Sequence, residues 1–198
     1  MLPTQRRGYL GTVSASPSAA EPPEGLVYRP EFLDADEEQA LLAVLEPLEF
    51  HEIRMRGQVA RRTARHYGID YDYEQRGRTA PGEPLPEWLV ELREPCGQLA
   101  GVPPEELVEA LVQRYPPGAT IGWHRDAPTF GTVVGVSLGS SCRMRFQRGG
   151  GEQRRVFERL LEPRSAYVLA GAARWSWRHS IPPTQESRYS ITFRTLRT

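Results

Sequence analysis

An α+β domain, with helices first and an antiparallel jelly-roll β core after them, is what three observations predict. Before residue 101, apolar residues recur at helical spacing behind capping signals, and from residue 107 onward they fall in short runs separated by turn residues. The chain has 198 residues, enough for one core of good size and too few for two.

Taken in order, residues 1–25 are rich in Ser, Pro, Ala and Gly and read as a disordered tail, so the folded domain is expected over 26–198. In "GLVYRPEFLDADEEQALLAVLEPLEF", Asp34 is placed as an N-cap and Glu37 completes a capping box. Leu41, Leu42 and Leu45 form an apolar stripe that ends before Pro47. A second helix opens at Pro86 in "LPEWLVELREPCGQLAG", with Trp88, Leu89 and Leu92 on one face and Pro95 marking an end or a kink. Between them, in "GQVARRTARHYGIDYDYEQRGRTAPGEP", arginines alternate with His66, Tyr67, Tyr71 and Tyr73. That mixture suits phosphate contacts with base stacking, and equally a solvated hairpin with half-buried tyrosines. From 107 to about 197, runs such as "GTVVGVSLGSS", "CRMRFQRGGG" and "RYSITFRTLR" alternate apolar with polar residues between turns, which accounts for many short antiparallel strands.

Formal net charge is zero, yet all 25 basic residues are arginine. Planar, permanently charged forks suit carboxylates and phosphates, although genome composition explains the bias equally well. Cys96 and Cys142 stand far apart in no Cys-x-x-Cys pair, so neither a thiolate metal cluster nor a disulfide framework is indicated. No apolar run approaches the roughly 20 residues that span a bilayer, and the N-terminus lacks the apolar core of a secretory signal. A soluble, cytoplasmic monomer with no membrane partner is the expectation.

"TIGWHRDAP" sets His124 and Asp126 one residue apart, so on a strand both side chains reach one ion. His179, in "WRHSIPP" at the end of a strand-like run, can come opposite them by antiparallel pairing. Two imidazoles and one carboxylate on one face of a metal leave positions open, as non-haem Fe(II) oxygenases require; the pair alone also arises by chance on surfaces. Arg188 and Arg194 follow at even spacing in one strand and so share a face. Arginines turned into a β core are costly unless they meet carboxylates, and a buried dicarboxylate would supply one.

His-x-Asp, a distal His and Arg-x5-Arg, together with "LVQRYPPGATIGWHRD", "GVSLGSSCRMRF", "PRSAYVLAGAARWSWRHSI" and "RYSITFRTLR", resemble the AlkB family of Fe(II)- and 2-oxoglutarate-dependent dioxygenases over residues of about 26 to 197. The resemblance implies a double-stranded β-helix (jelly roll) with N-terminal helices and a substrate-lid hairpin at about 57–80. It implies that His124, Asp126 and His179 bind Fe(II) and form the catalytic centre. Arg188 and Tyr115 would hold the distal carboxylate of 2-oxoglutarate, and Arg194 would serve the metal-proximal carboxylate and support Asp126. Gln113 stands where the family usually has asparagine, and Ser190 where repair members often have one. The lid would contribute Tyr67 as a wall against a flipped base and Arg61, Arg62 and Arg65 as phosphate contacts.

The implied reaction consumes O2 and 2-oxoglutarate, releases succinate and CO2, and hydroxylates a C–H bond; on an N-methyl group the product collapses with loss of formaldehyde. Alkylated DNA or RNA is the implied partner. Pro128 occupies the position where the DNA-repair branch carries a second acid. The text around "RHYG", "FGTVVGVSLGS" and "RSAYVLAGAARWSWRHSI" also looks like the AlkB-type domain that hydroxylates wobble uridine in tRNA. A protein-directed demethylase and a non-enzymatic jelly-roll binding module are the further alternatives.

Overall fold

A computed structural model describes residues 21–55, 58–71 and 79–197. Thirteen strands and three α-helices follow in the order β1 (Leu26–Arg29), α1 (Ala35–Leu45), β2 (His51–Met55), β3 (Gln58–Tyr67), β4 (Ile69–Tyr71), β5 (Thr79–Pro81), α2 (Glu87–Ala100), β6 (Leu107–Tyr115), β7 (Ile121–His124), β8 (Phe130–Leu138), β9 (Cys142–Arg148), β10 (Arg155–Leu161), β11 (Ala166–Leu169), α3 (Gly171–Trp175), β12 (Arg178–Ile181) and β13 (Arg188–Leu196).

Two antiparallel sheets make the jelly roll. The larger runs β1-β11-β8-β13-β6-β3-β2 and the smaller β10-β9-β12-β7, while β4 and β5 pair with each other. From β6 onward, successive strands cross between the sheets except at the β9–β10 hairpin, so residues distant in sequence face one another across the interior. Period-2 alternation then divides each large-sheet strand between two cores. Val134, Val136 and Leu138 of β8 and Ile191 and Phe193 of β13 pack outward against Leu45 of α1 and Leu89, Leu92 and Cys96 of α2. Inside the roll, Tyr115, Val133, Met144, Phe146 and Tyr167 form a second cluster. Gly135 faces this interior, where a Cβ would run into the Tyr167 ring, so a side chain there would displace the aromatic.

The helices form for the expected reasons. Asp34 accepts from the Glu37 amide at 2.8 Å and the Glu37 carboxylate accepts from the Asp34 amide at 2.8 Å, closing the capping box of α1. In α2, Pro86 is the N-cap, but the helix does not end at Pro95; it runs to Ala100 and stops at Gly101 in the left-handed region, φ 67°. One missing N–H is tolerated because Leu89, Leu92 and Cys96 are buried on either side of it.

Three further expectations change. The proposed lid at 57–80 divides: β3 is an interior strand, held between β2 and β6, and only β4 and β5 form a separate hairpin, with Tyr73 among the residues outside those described. The run "SAYVLAGAARWSWRHSI" is two strands broken by α3. Of the tail expected over 1–25, residues 1–20 lie outside the described residues, whereas 21–25 lead into the fold: the Glu24 carbonyl accepts from the Ala173 amide at 2.7 Å and the Gly25 carbonyl from the Ala170 amide at 3.0 Å.

Candidate metal centre

Strand pairing brings the three candidate ligands together. His179 on β12 is the direct cross-strand partner of His124 on β7, and their rings lie 4.2 Å apart between centroids. Asp126 follows β7 by two residues, and its Oδ2 is 3.5 Å from His179 Nε2. One ligand atom from each of the three falls within 4.8 Å of the others. His124 is oriented from behind: Nδ1 is 2.9 Å from the Gly122 carbonyl, so with Nδ1 protonated it donates there and Nε2 stays available to a metal.

Electrostatics favour the forms that bind metal. Burial, working against the neighbouring Asp126, pushes the His179 imidazole down to about 3, and burial lowers His124 as well. Both rings are therefore neutral near pH 7. For Asp126, burial would raise the carboxyl, but Arg194 and then His179 and His124 outweigh it and hold the group well below the usual carboxylate range. Neutral imidazoles beside an ionised carboxylate make a donor set that fits Fe(II).

Arg188, on β13, is completely buried. Its guanidinium sits 4.8 Å from the Tyr115 ring centroid and donates from Nη2 to Ser137 Oγ at 3.0 Å. Nε and Nη1 find no acceptor among the described residues. Unpaired donors on a buried cation are costly, and a carboxylate is the group that would satisfy them. The same cavity, of about 680 Å³, is lined by His124, Asp126, His179 and Arg188. Gln113 and Ser190 face each other across β6 and β13 in its wall, and the Tyr115 hydroxyl donates to Gln113 Oε1 at 3.2 Å.

A model of the 2OG-Fe(II) oxygenase superfamily matches residues 25–194. The chain belongs to that superfamily. The relatives it resembles include AlkB-type proteins. The chain is 26% identical over 168 residues to tRNA (carboxymethyluridine(34)-5-O)-methyltransferase alkbh8 of Xenopus tropicalis, covering 81% of this chain and 26% of that protein. It is 30% identical over 125 residues to alpha-ketoglutarate-dependent dioxygenase AlkB of Escherichia coli (strain K12), covering 58% and 57%. Across the curated relatives it matches, it spans from 26% to 57% of their length. In fold it is similar to OsALKBH1, with a TM-score of 0.68 at 18% identity over 89% of this chain and 98% of that one. Fe(II), 2-oxoglutarate and O2 are the cofactor set of a 2OG-Fe(II) oxygenase.

The residues expected at its substrate side lie differently. On β3, Arg62, Ala64 and His66 face the interior and Arg65 and Tyr67 face away, because neighbours on a strand point to opposite sides. Tyr67 is therefore not a cavity wall: it is 3% exposed and packs edge-on to Trp88 of α2, with ring centroids 6.3 Å apart. Arg65 stacks on that outer face of Tyr67 and forms a bidentate pair with Glu83 at 2.9 and 3.3 Å, so it is neutralised within the protein. Arg62, rather than meeting a phosphate at the surface, is buried in the cavity wall, with Nη1 3.4 Å from the Thr120 carbonyl. Arg61 is exposed.

Two buried groups escaped the reading of the sequence. Arg174 of α3 donates to the carbonyls of Ala127, Phe130 and Gly131 at 2.7–2.8 Å and so fixes the loop that follows Asp126. A lone arginine in "AGAARW" carries no signal of this. Glu109 of β6 donates nothing to a recognisable motif, yet it pairs with Arg194 at 2.8 Å. Its one legible sign is that it shares a strand face with Gln113 and Tyr115.

Proposed function

We propose that this AlkB-type oxygenase oxidises alkylated bases in nucleic acid, removing N-methyl groups as formaldehyde after hydroxylation. The observation that carries the reading is the juxtaposition in one cavity of the His124–Asp126–His179 cluster with the buried, partly unpaired guanidinium of Arg188. In this reading His124 Nε2, Asp126 and His179 Nε2 hold Fe(II), and Arg188 above the Tyr115 ring takes the distal carboxylate of 2-oxoglutarate by two parallel bonds. When bound, the iron and 2-oxoglutarate supply the coupled oxidation in which O2 is reduced, 2-oxoglutarate becomes succinate and CO2, and one oxygen atom enters a substrate C–H bond.

The chain's own residues bind, orient and exclude. The Gly122 carbonyl sets the tautomer and tilt of His124, and Arg174 holds the loop carrying Ala127 and Pro128 at the cavity mouth. Leu111, Val133, Met144 and Leu161 give the cavity an apolar lining that keeps water from the reacting centre. On the substrate side, Arg62 and His66 face the cavity and Arg61 remains for a phosphate outside it. With Pro128 exposed where a second acid would read an exocyclic amine, base choice rests on other groups. RNA, including tRNA, is therefore kept beside DNA as a substrate, a reading the name of the Xenopus relative favours.

Incubating the protein with Fe(II), 2-oxoglutarate and O2 on methylated single-stranded DNA, methylated RNA and total tRNA, followed by nucleoside mass spectrometry, tests this. Loss of a methylated base that disappears in His124→Ala is the expected result. A new hydroxylated uridine would move the substrate to the tRNA reading. No change in any nucleic acid alongside uncoupled 2-oxoglutarate turnover would overturn the nucleic-acid reading and leave a methylated protein side chain as target.

A further inference from the structure

Glu109 is 1% exposed, near the start of β6. A carboxylate buried that deeply is tolerated only when paired and fully bonded, and β13 provides the pair, because Arg194 is its direct cross-strand partner. Arg194 Nη1 donates to both Glu109 oxygens, at 2.9 and 2.8 Å. The opposite edge of the same guanidinium donates from Nε and Nη2 to a single oxygen of Asp126, Oδ1, at 3.2 and 3.0 Å. The other oxygen, Oδ2, is buried without a hydrogen-bond partner among the described residues and points toward His179.

One rigid plane thus connects two carboxylates. A guanidinium on a flexible stem, anchored by Asp126 alone, would swing with it; anchored by Glu109 on its far side, it fixes the carboxylate it touches. The charges matter too. Arg194 alone would cancel Asp126, and Arg174 adds a further positive charge near it, so the Glu109 carboxylate offsets charge that would otherwise oppose a divalent cation.

We propose that Glu109 is a positioning residue of the metal centre: it clamps Arg194 so that Asp126 offers Oδ2 to a divalent cation, and it offsets the charge Arg194 brings. On this assignment Arg194 acts as a strut for a metal ligand more than as a clamp for the metal-proximal carboxylate of the co-substrate. The proposal rests on the metal-site reading above.

Calorimetric titration with Mn(II) alone, which needs no turnover, separates the two. The parent chain binds Mn(II) and His124→Ala does not; a parent that takes up none overturns the metal reading and this inference with it. Glu109→Gln, keeping size and losing charge, is expected to weaken Mn(II) binding by about 10- to 100-fold, with Glu109→Asp closer to the parent. A folded Glu109→Gln protein with the parent's Mn(II) affinity, even at a lower melting temperature, overturns the proposal, since a merely structural ion pair predicts that result. If Glu109→Gln does not fold, the double variant Glu109→Met with Arg194→Met replaces the pair by apolar side chains of similar bulk. Its Mn(II) affinity is expected to fall likewise, and parental affinity there overturns the proposal.

Discussion

The two ends of β13 carry the same side chain in opposite states. Arg194 spreads its donors over Glu109 and Asp126, while six residues away Arg188, more deeply buried, donates to Ser137 and has two nitrogens without an acceptor among the described residues. The first arginine is built into the protein's own electrostatics; the second keeps donors that an anion would satisfy. Equal residue type on one buried strand face therefore does not imply equal roles, because what decides is which carboxylate stands opposite.

The comparison breaks most visibly at Arg194. Arg194→Ala leaves Glu109 as a buried carboxylate without its guanidinium and is expected to cost about 3–5 kcal/mol of folding stability, read from urea unfolding. A loss within the scatter of ordinary surface substitutions would mean that the two ends are alike. Arg188→Met is expected to do the reverse. Removing a cation with unsatisfied donors should leave the urea midpoint unchanged or slightly raised, while 2-oxoglutarate binding to the Mn(II)-loaded protein weakens by roughly 10- to 150-fold, the worth of a charged hydrogen bond.

Acid sharpens the contrast next. With His179 pushed down to about 3 by burial in the metal-free chain and free histidine near pH 6.5, the unfolded chain binds a proton that the native one does not throughout that interval. Stability therefore rises with pH across it and is lost as pH falls, by about 1.4 kcal/mol per pH unit for each such proton. His124 has the same sign. His179→Gln should flatten the dependence by one proton between about pH 5 and pH 6, as measured by urea midpoints; an unchanged slope would place the titration elsewhere. The smallest effect belongs to Glu83→Gln, which neutralises the half-exposed carboxylate paired with Arg65. It should change stability by less than about 1 kcal/mol and leave Mn(II) affinity as it was.

How legible the site was depends on which kind of inference each residue required. Arg188 and Arg194 share a face because strand side chains repeat every two residues, and Asp126, just past the end of β7, still lies near His124, so the metal and co-substrate chemistry could be read from spacing and from the family pattern it completes. Capping signals placed α1 correctly for a similarly local reason. The arginine-rich segment failed where that same rule was not applied: Arg61, Arg65 and Tyr67 lie on one face of β3 and Arg62 on the other, and grouping them as one substrate surface mixed an outer face with an inner one. Pro95 was overruled by burial of the helix around it.

What the sequence determined by itself is the class of chemistry: two histidines, a carboxylate and two same-face arginines in a fold of alternating strands. What only the tertiary structure decided is which groups meet. Periodicity says that Glu109 lies on the face of β6 shared with Gln113 and Tyr115, but not that Arg194 stands opposite it, nor that Tyr67 turns toward α2. Cross-strand register is a long-range property, set by how two sheets close over a core, and no local pattern encodes a partner that is 85 residues away.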